Sequence, residues 1–495
     1  VNDRPPSDAG HWRTLDRDLN RISYVEYATM YVSRPLVSLG LAMAFVALAM
    51  VAAAILTGGQ PGALAIILAA AFGAYLALNI GANDVANNMG PAVGANALSM
   101  TGALVIAAVC ETAGALLAGA DVVGTISSGI VAPEGFADSG VFVTAMLAAL
   151  LSSAIWLNLA TWVGAPVSTT HAVVGGVIGA GIAAAGFGAV QWGVMGKIAA
   201  SWVISPLCGG IFAAAMLAFL KWRIIYREDK IAAARLWVPV LIGLMAWAFS
   251  TYLALKGLKQ VVSISLGSAT LIGLAIGILS WLGARPLVRR QSQGLENRNR
   301  SLKVLFRGPL ILSAALMSFA HGANDVSNAV GPLAAIVQAQ SSGGAGGAVV
   351  VPDWVMIIGA LGISVGLLLF GPKLIRMVGD QITKLNAMRA YCVALSAAVT
   401  VIAASWLGMP VSSTHIAIGG IFGVGFFREW YVERRARRLK AARPPAEDLA
   451  VEERQRRKLV RRSHFLTIVM AWVITVPATA ALSALAYLAL GALLG

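Results

Sequence analysis

Two stretches of one chain set an aspartate among asparagines inside long apolar runs: GANDVANNMG at 81–90 and GANDVSNAVG at 322–331. A carboxylate in hydrocarbon is costly, so Asp84 and Asp325 are read first as marks of a cation or proton path. Asn83, Asn87, Asn324 and Asn328 add amide oxygens, and carboxylate plus carbonyl oxygens form a hard cage suited to a small cation such as Na⁺. The competing reading is structural: the aspartates cap broken helices or pair across a two-fold. Gly81, Gly90 and Pro91 weaken a helix, so the segment is expected to break there and free backbone carbonyls. A second repeated pair is PVSTTH at 166–171 and PVSSTH at 410–415. Proline suits a first helical turn, which places Ser168, Thr169, Thr170 and Ser412, Ser413, Thr414 at helix N-termini. Free N–H groups, the positive dipole end and rotatable hydroxyls there attract an oxyanion. Ordinary capping is the plainer alternative.

Four further residues stand near these motifs without a clear role. Glu111 has no acidic mate, its approximate second-half equivalent being Ile363. It reads equally as a proton carrier or gate and as a helix–helix hydrogen-bonding residue. His171 and His415 follow the Ser/Thr triplets and His321 precedes the second Asp-Asn motif. Each is read as a packing residue first, with pH-linked tuning or proton transfer as the alternative for His171 and His415. No other metal-ligand spacing, nucleophile–base pair or nucleotide loop is present, so no cofactor and no enzymatic activity are expected.

The elements that position these residues must cross a membrane. The chain of 495 residues is 58% hydrophobic and 12% charged, against about 25% charged in soluble domains. Its apolar runs fall into about eleven to thirteen segments of spanning length. The fold class is therefore an all-α polytopic membrane protein. Net charge is +15, with basic residues concentrated in 1–35, 221–235, 285–307, 373–389 and 428–462. The spans put all of these on one side, which the positive-inside rule makes cytoplasmic. Tracts such as 434–440 and 454–462 are read as facing anionic lipid, and nucleic acid is not expected as a partner. The acidic loop 121–138 and the SSGGAGG linker at 341–347 fall on the other side. From Pro35 to Gly196 there is no Lys or Arg.

The motif copies lie 241 and 244 residues apart, and SWVISP at 201–206 is echoed by AWVITVP at 471–477. Two homologous halves follow, 62–220 and 308–490. Loop charge starts the first half outside and the second inside, so the repeats are inverted, with broken helices and re-entrant hairpins as in secondary transporters. Residues 1–57 form a cytoplasmic lead-in plus an extra transmembrane helix. Residues 221–307 form a two-helix insertion with basic cytoplasmic loops.

The doubled GAND signature, the PVSTTH and PVSSTH turns and CETAGALLAG at 110–119 resemble the inorganic phosphate transporter (PiT) family. The resemblance covers most of both halves. It implies import of inorganic phosphate with Na⁺ or H⁺ at a site between inverted repeats in the cell (inner or plasma) membrane. By that resemblance, Asp84, Asp325 and their asparagines hold the coupling cation and the Ser/Thr triplets hold phosphate. One departure is Ala394, where animal members tend to carry a glutamate. A sulfate or other oxyanion symporter of the same architecture is the alternative, and a passive anion channel ranks below it. Oligomeric state stays open, a homo-oligomer included.

Overall fold

The computed structural model describes residues 36–59, 62–165, 167–257, 264–341, 351–381, 385–440 and 462–494. The expected lead-in 1–35, Pro166, the 342–350 portion of the linker and the basic stretch 441–461 lie outside the described residues. The described chain is nearly all helix. In order the helices are α1 (Leu36–Thr57), α2 (Ala63–Gly94), α3 (Met100–Ala118), α4 (Ala120–Ser127), α5 (Ser139–Val163) and α6 (Thr169–Ala185). Then come α7 (Trp192–Leu220), α8 (Lys230–Lys256), α9 (Leu266–Gln291) and α10 (Asn299–Leu305). The last five are α11 (Arg307–Ser341), α12 (Asp353–Gln381), α13 (Ala387–Trp406), α14 (Ser413–Lys440) and α15 (Arg462–Leu494). Among the described residues ten helices are long and apolar enough to cross a bilayer, or eleven if α10 and α11, bent by 47°, count as one span.

The packing comes in matched pairs. Helix α2 lies along α12, and α11 lies along α3. Helix α5 packs on α2 and α6, as α13 packs on α11 and α14. Helix α7 packs on α14, and α15 packs on α6, so the last helix of each half covers the other half's second hairpin helix. Close approach depends on glycine at four points. A Cβ on Gly81 would overlap the Ile363 carbonyl, and one on Gly322 would overlap the Glu111 carbonyl. Gly366 meets the Leu78 carbonyl as Gly114 meets that of Phe319. Small residues that let backbones approach this closely favour helix association in lipid, where close packing replaces the hydrophobic force.

The expected break at GANDVANNMG does not occur. Helix α2 runs through Gly81, Gly90 and Pro91 to Gly94, and α11 runs through Gly331 and Pro332 to Ser341. Gly81 and Gly322 are used for packing instead, because the facing backbones of α12 and α3 fill the space a side chain would need. The breaks fall at the Pro-Val-Ser turns. Helix α5 ends at left-handed Gly164 (φ 79°), and Ala165 N–H donates back to Ala160 O at 2.8 Å. Helix α13 ends the same way, with Gly408 at φ 67° and Met409 N–H donating to Ala404 O at 3.0 Å. This six-to-one bond around a left-handed glycine satisfies the orphan carbonyls of a helix end.

Contacts between loops gather the basic stretches at one end. Asn297 accepts from Lys230 N–H and donates to Glu228 O, joining 221–235 to 285–307. Tyr226 stacks on Tyr431, bringing α14's basic end to the same place. Arg307 donates to Asn96 O there as well. At the other end Lys256 of α8 pairs with Asp121 of α4.

Candidate functional site

Each hairpin delivers a helix N-terminus to the middle of the fold. Ser168 caps α6, its hydroxyl accepting from His171 N–H at 3.1 Å, and Ser412 caps α14 by accepting from His415 N–H at 3.2 Å. The two tips touch: Thr170 Oγ1 donates to Val411 O at 3.0 Å. The asparagines that open each signature hold these turns. Asn83 Nδ2 donates to Thr161 Oγ1 at 3.1 Å, and Asn324 Nδ2 donates to Ser405 Oγ at 2.9 Å and Met409 O at 3.3 Å. Asn324 Oδ1 also accepts from Val411 N–H, at 3.4 Å.

The remaining hydroxyls reach the carboxylates. Thr414 Oγ1 donates to Asp84 Oδ1 at 2.9 Å, and Ser413 Oγ donates to Asp325 Oδ2 at 3.0 Å. Thr169 Oγ1 lies 3.5 Å from the same Asp325 oxygen. Asn87 Nδ2 bridges Thr414 Oγ1 (2.8 Å) and Asp84 (3.2 Å), while Asn328 Nδ2 reaches Thr170 Oγ1 at 3.3 Å. The residues expected to hold a cation and those expected to hold an anion thus form one continuous cluster.

Two residues without repeat mates complete it. His321 stands where the first half has Ile80, and Glu111 stands where the second has Ile363. They meet at the centre. His321 Nδ1 is 3.2 Å from Glu111 Oε2, and its Nε2 is 2.9 Å from Asp325 Oδ2 and 3.5 Å from Asp84 Oδ2. Asn88, whose mate is Ala329, donates to Glu111 Oε1 at 2.8 Å. All four ionisable groups are buried. Ligand atoms of Asp84, His321 and Asp325 lie within 4.8 Å of one another, close enough to share one ion. Among the described residues, Asp84 Oδ2, Asp325 Oδ1, Asn83 Oδ1 and Asn328 Oδ1 are buried acceptors that find no hydrogen-bond partner. Buried acceptors without donors favour a cation, because leaving them unsatisfied is expensive. The sequence reading of His321 as a packing residue misses this position between Glu111 and Asp325. Its signal in the sequence is positional, a polar residue at a site whose repeat mate is aliphatic.

His171 and His415 do not join the cluster. Their rings lie 4.4 Å apart, and each packs on a tryptophan, Trp202 at 3.8 Å and Trp472 at 3.6 Å. They face an apolar groove on the far side of the tips.

A bundle of membrane-spanning helices with two helix N-termini converging on buried carboxylates defines a membrane transport protein. The chain belongs to the phosphate transporter family, whose model matches residues 80–483. It is 43% identical to a Helicobacter pylori (strain J99) protein named "Putative phosphate permease", over 96% of this chain and 99% of that one. A Pyrococcus abyssi protein of the same designation is 36% identical over 85% of this chain and 97% of its own length. A solved structure titled "The sodium-dependent phosphate transporter" superposes with a TM-score of 0.78 at 33% identity, covering 87% of this chain and 99% of that one.

Proposed function

We propose that the protein is a secondary active symporter that imports inorganic phosphate with a coupling cation by alternating access, and that the cation is Na⁺. The observation that carries this reading is the bonding of the tip hydroxyls to Asp84 and Asp325. A hydroxyl has one hydrogen to give, and here it goes to a carboxylate. An oxyanion at the same tips needs that hydrogen, and its negative charge would be repelled by both aspartates. A cation bound to the carboxylates removes both obstacles. It takes over the carboxylate oxygens, lets Thr414, Ser413 and Thr169 rotate their O–H toward phosphate, and offsets charge in a site built without Lys or Arg. The α6 and α14 N-termini add amide donors. Coupling is then a physical condition of binding. Likeness to the sodium-dependent phosphate transporter supports sodium over a proton.

The touching tips support re-entrant hairpins in two inverted repeats. Helix N-termini that meet beside mid-helix residues of α2 and α11 are read as entering from opposite faces and ending near the midplane. The basic loops at one end support a cytoplasmic N-terminus in the cell membrane. In this reading phosphate is held by Ser413, Thr414, Thr169 and Thr170 with the capped turns of Ser168 and Ser412. Asp84, Asp325, Asn87 and Asn328 hold the cation, Asn83 and Asn324 fix the turns, and Glu111 with His321 sets the charge state beside it.

The test is phosphate uptake into proteoliposomes with sodium and proton gradients imposed separately. An inward sodium gradient at equal pH is expected to drive accumulation. Uptake indifferent to sodium would overturn the assignment of the ion, and uptake indifferent to both gradients would overturn symport.

A further inference from the structure

The apolar groove behind the histidines has a volume of about 960 Å³ and lies between α6, α7, α14 and α15. It opens sideways, since Val203, Leu207 and Ile211 of α7, Phe426 of α14 and Val473 of α15 line it and are exposed. At Phe427 and Trp430 it continues into a second cavity of about 520 Å³, lined by Lys221, Tyr226, Arg227 and Tyr431. Here the last turn of α7 widens into a π-helical turn, Lys221–Ile225, closed by Tyr226 N–H donating to Lys221 O at 3.1 Å. Such turns often mark functional positions.

Lys221 is 9% exposed, and its ammonium lies 4.0 Å from the Tyr431 ring centroid and 5.0 Å from that of Phe427. Among the described residues no carboxylate lies within 4 Å of it. The charges it feels most are also positive, Arg389 of α13 and Arg428 of α14. Three helices thus bring three cations near one another, and Lys221 lines the cavity together with Arg227. A buried ammonium without a counter-charge is costly, and aromatic faces offset only part of that cost.

We propose that groove and basic cavity together form a site for one anionic phospholipid, with an acyl chain in the groove and the phosphodiester against Lys221. Free phosphate would use the basic cavity but leave the apolar groove unfilled, and a second protein chain would cover the groove but would need a carboxylate placed against Lys221. A lipid with a net negative headgroup answers both halves at once. Trp222, Trp430 and Tyr226 stand around the basic cavity, as aromatic side chains do at headgroup depth.

The experiment is native mass spectrometry of the full chain extracted from nanodiscs holding equal phosphatidylglycerol and phosphatidylcholine. Preferential retention of one phosphatidylglycerol is expected. Lys221→Gln and Arg428→Gln should each reduce it about fivefold, and Lys221→Arg should restore it. Ala214→Phe narrows the groove while leaving the cations in place, and should lower retention of both lipids. Equal retention of the two lipids, or retention unchanged by Lys221→Gln and Arg428→Gln together, would overturn the proposal. So would displacement of the lipid by inorganic phosphate. A photoreactive residue at position 211 should capture lipid; capture of a second copy with no lipid bound would make the groove an interface between chains instead.

Discussion

The smallest unit that explains this site is a hydroxyl hydrogen. Thr414 gives its own to Asp84, and Ser413 gives its own to Asp325; in the proposed mechanism these donors reach phosphate only once a cation holds the carboxylates. Replacing Thr414 by Val keeps shape and removes that hydrogen. Sodium-driven phosphate uptake should fall about tenfold to a hundredfold, the range expected for one hydrogen bond to a charged group. Asp84→Asn and Asp325→Asn remove the charge that recruits the cation, and uptake by each should fall at least as far as by Thr414→Val. Full activity in both aspartate variants would contradict the assigned role. Glu111 and His321 act as a pair, being 3.2 Å apart in a buried setting. Glu111→Gln and His321→Gln should therefore be non-additive, with the double variant losing less than the sum of the two single losses in initial uptake rate. Strict additivity would show that the two residues do not work together.

At four glycines the elements of this fold approach backbone to backbone. Gly322 lies against the Glu111 carbonyl, so Gly322→Ala should push α11 from α3 at the point where His321 meets Glu111. Overpacking of this kind costs about 1–3 kcal/mol, and thermal unfolding followed by size-exclusion chromatography should register it as a lower midpoint. Gly81→Ala should do the same at Ile363. Wild-type midpoints in both would mean that the helices separate without cost. These glycines also show where the sequence was legible and where it was not. Repetition of GAND and PVS-T-H revealed the pairing of residues, because a repeated pattern survives any packing. The use of Gly81 and Pro91 was misread as a break because composition reports that a helix is weak, not whether a neighbour supports it. Pro91 sits near the end of α2, where its missing N–H disturbs little of the helix beyond it. The breaks themselves were marked by Gly164 and Gly408, the only residue type that takes a left-handed turn without strain.

At the scale of the molecule, the two halves contribute to each site reciprocally. Asp84 of the first half binds Thr414 of the second, and Thr169 of the first approaches Asp325 of the second. The sequence repeats pointed to a site between the halves, but not to this exchange of hydroxyl and carboxylate across them. They hid the centre, because Glu111 and His321 break the repeat and only the packing of α3 on α11 brings them together. In the proposed mechanism, a site shared this way does not bind anion and cation independently. If sodium frees the hydroxyls that phosphate needs, sodium must raise phosphate affinity, and by linkage phosphate must raise sodium affinity by the same factor. A factor of about 5–150 corresponds to the usual range of coupling energies. Isothermal titration of the detergent-solubilised chain, with phosphate titrated at several sodium concentrations and sodium at several phosphate concentrations, measures both factors. Equal factors above one are expected, and Thr414→Val should bring both toward one together. Phosphate affinity independent of sodium in the wild-type protein would mean that the hydroxyl–carboxylate bonds do not control anion binding.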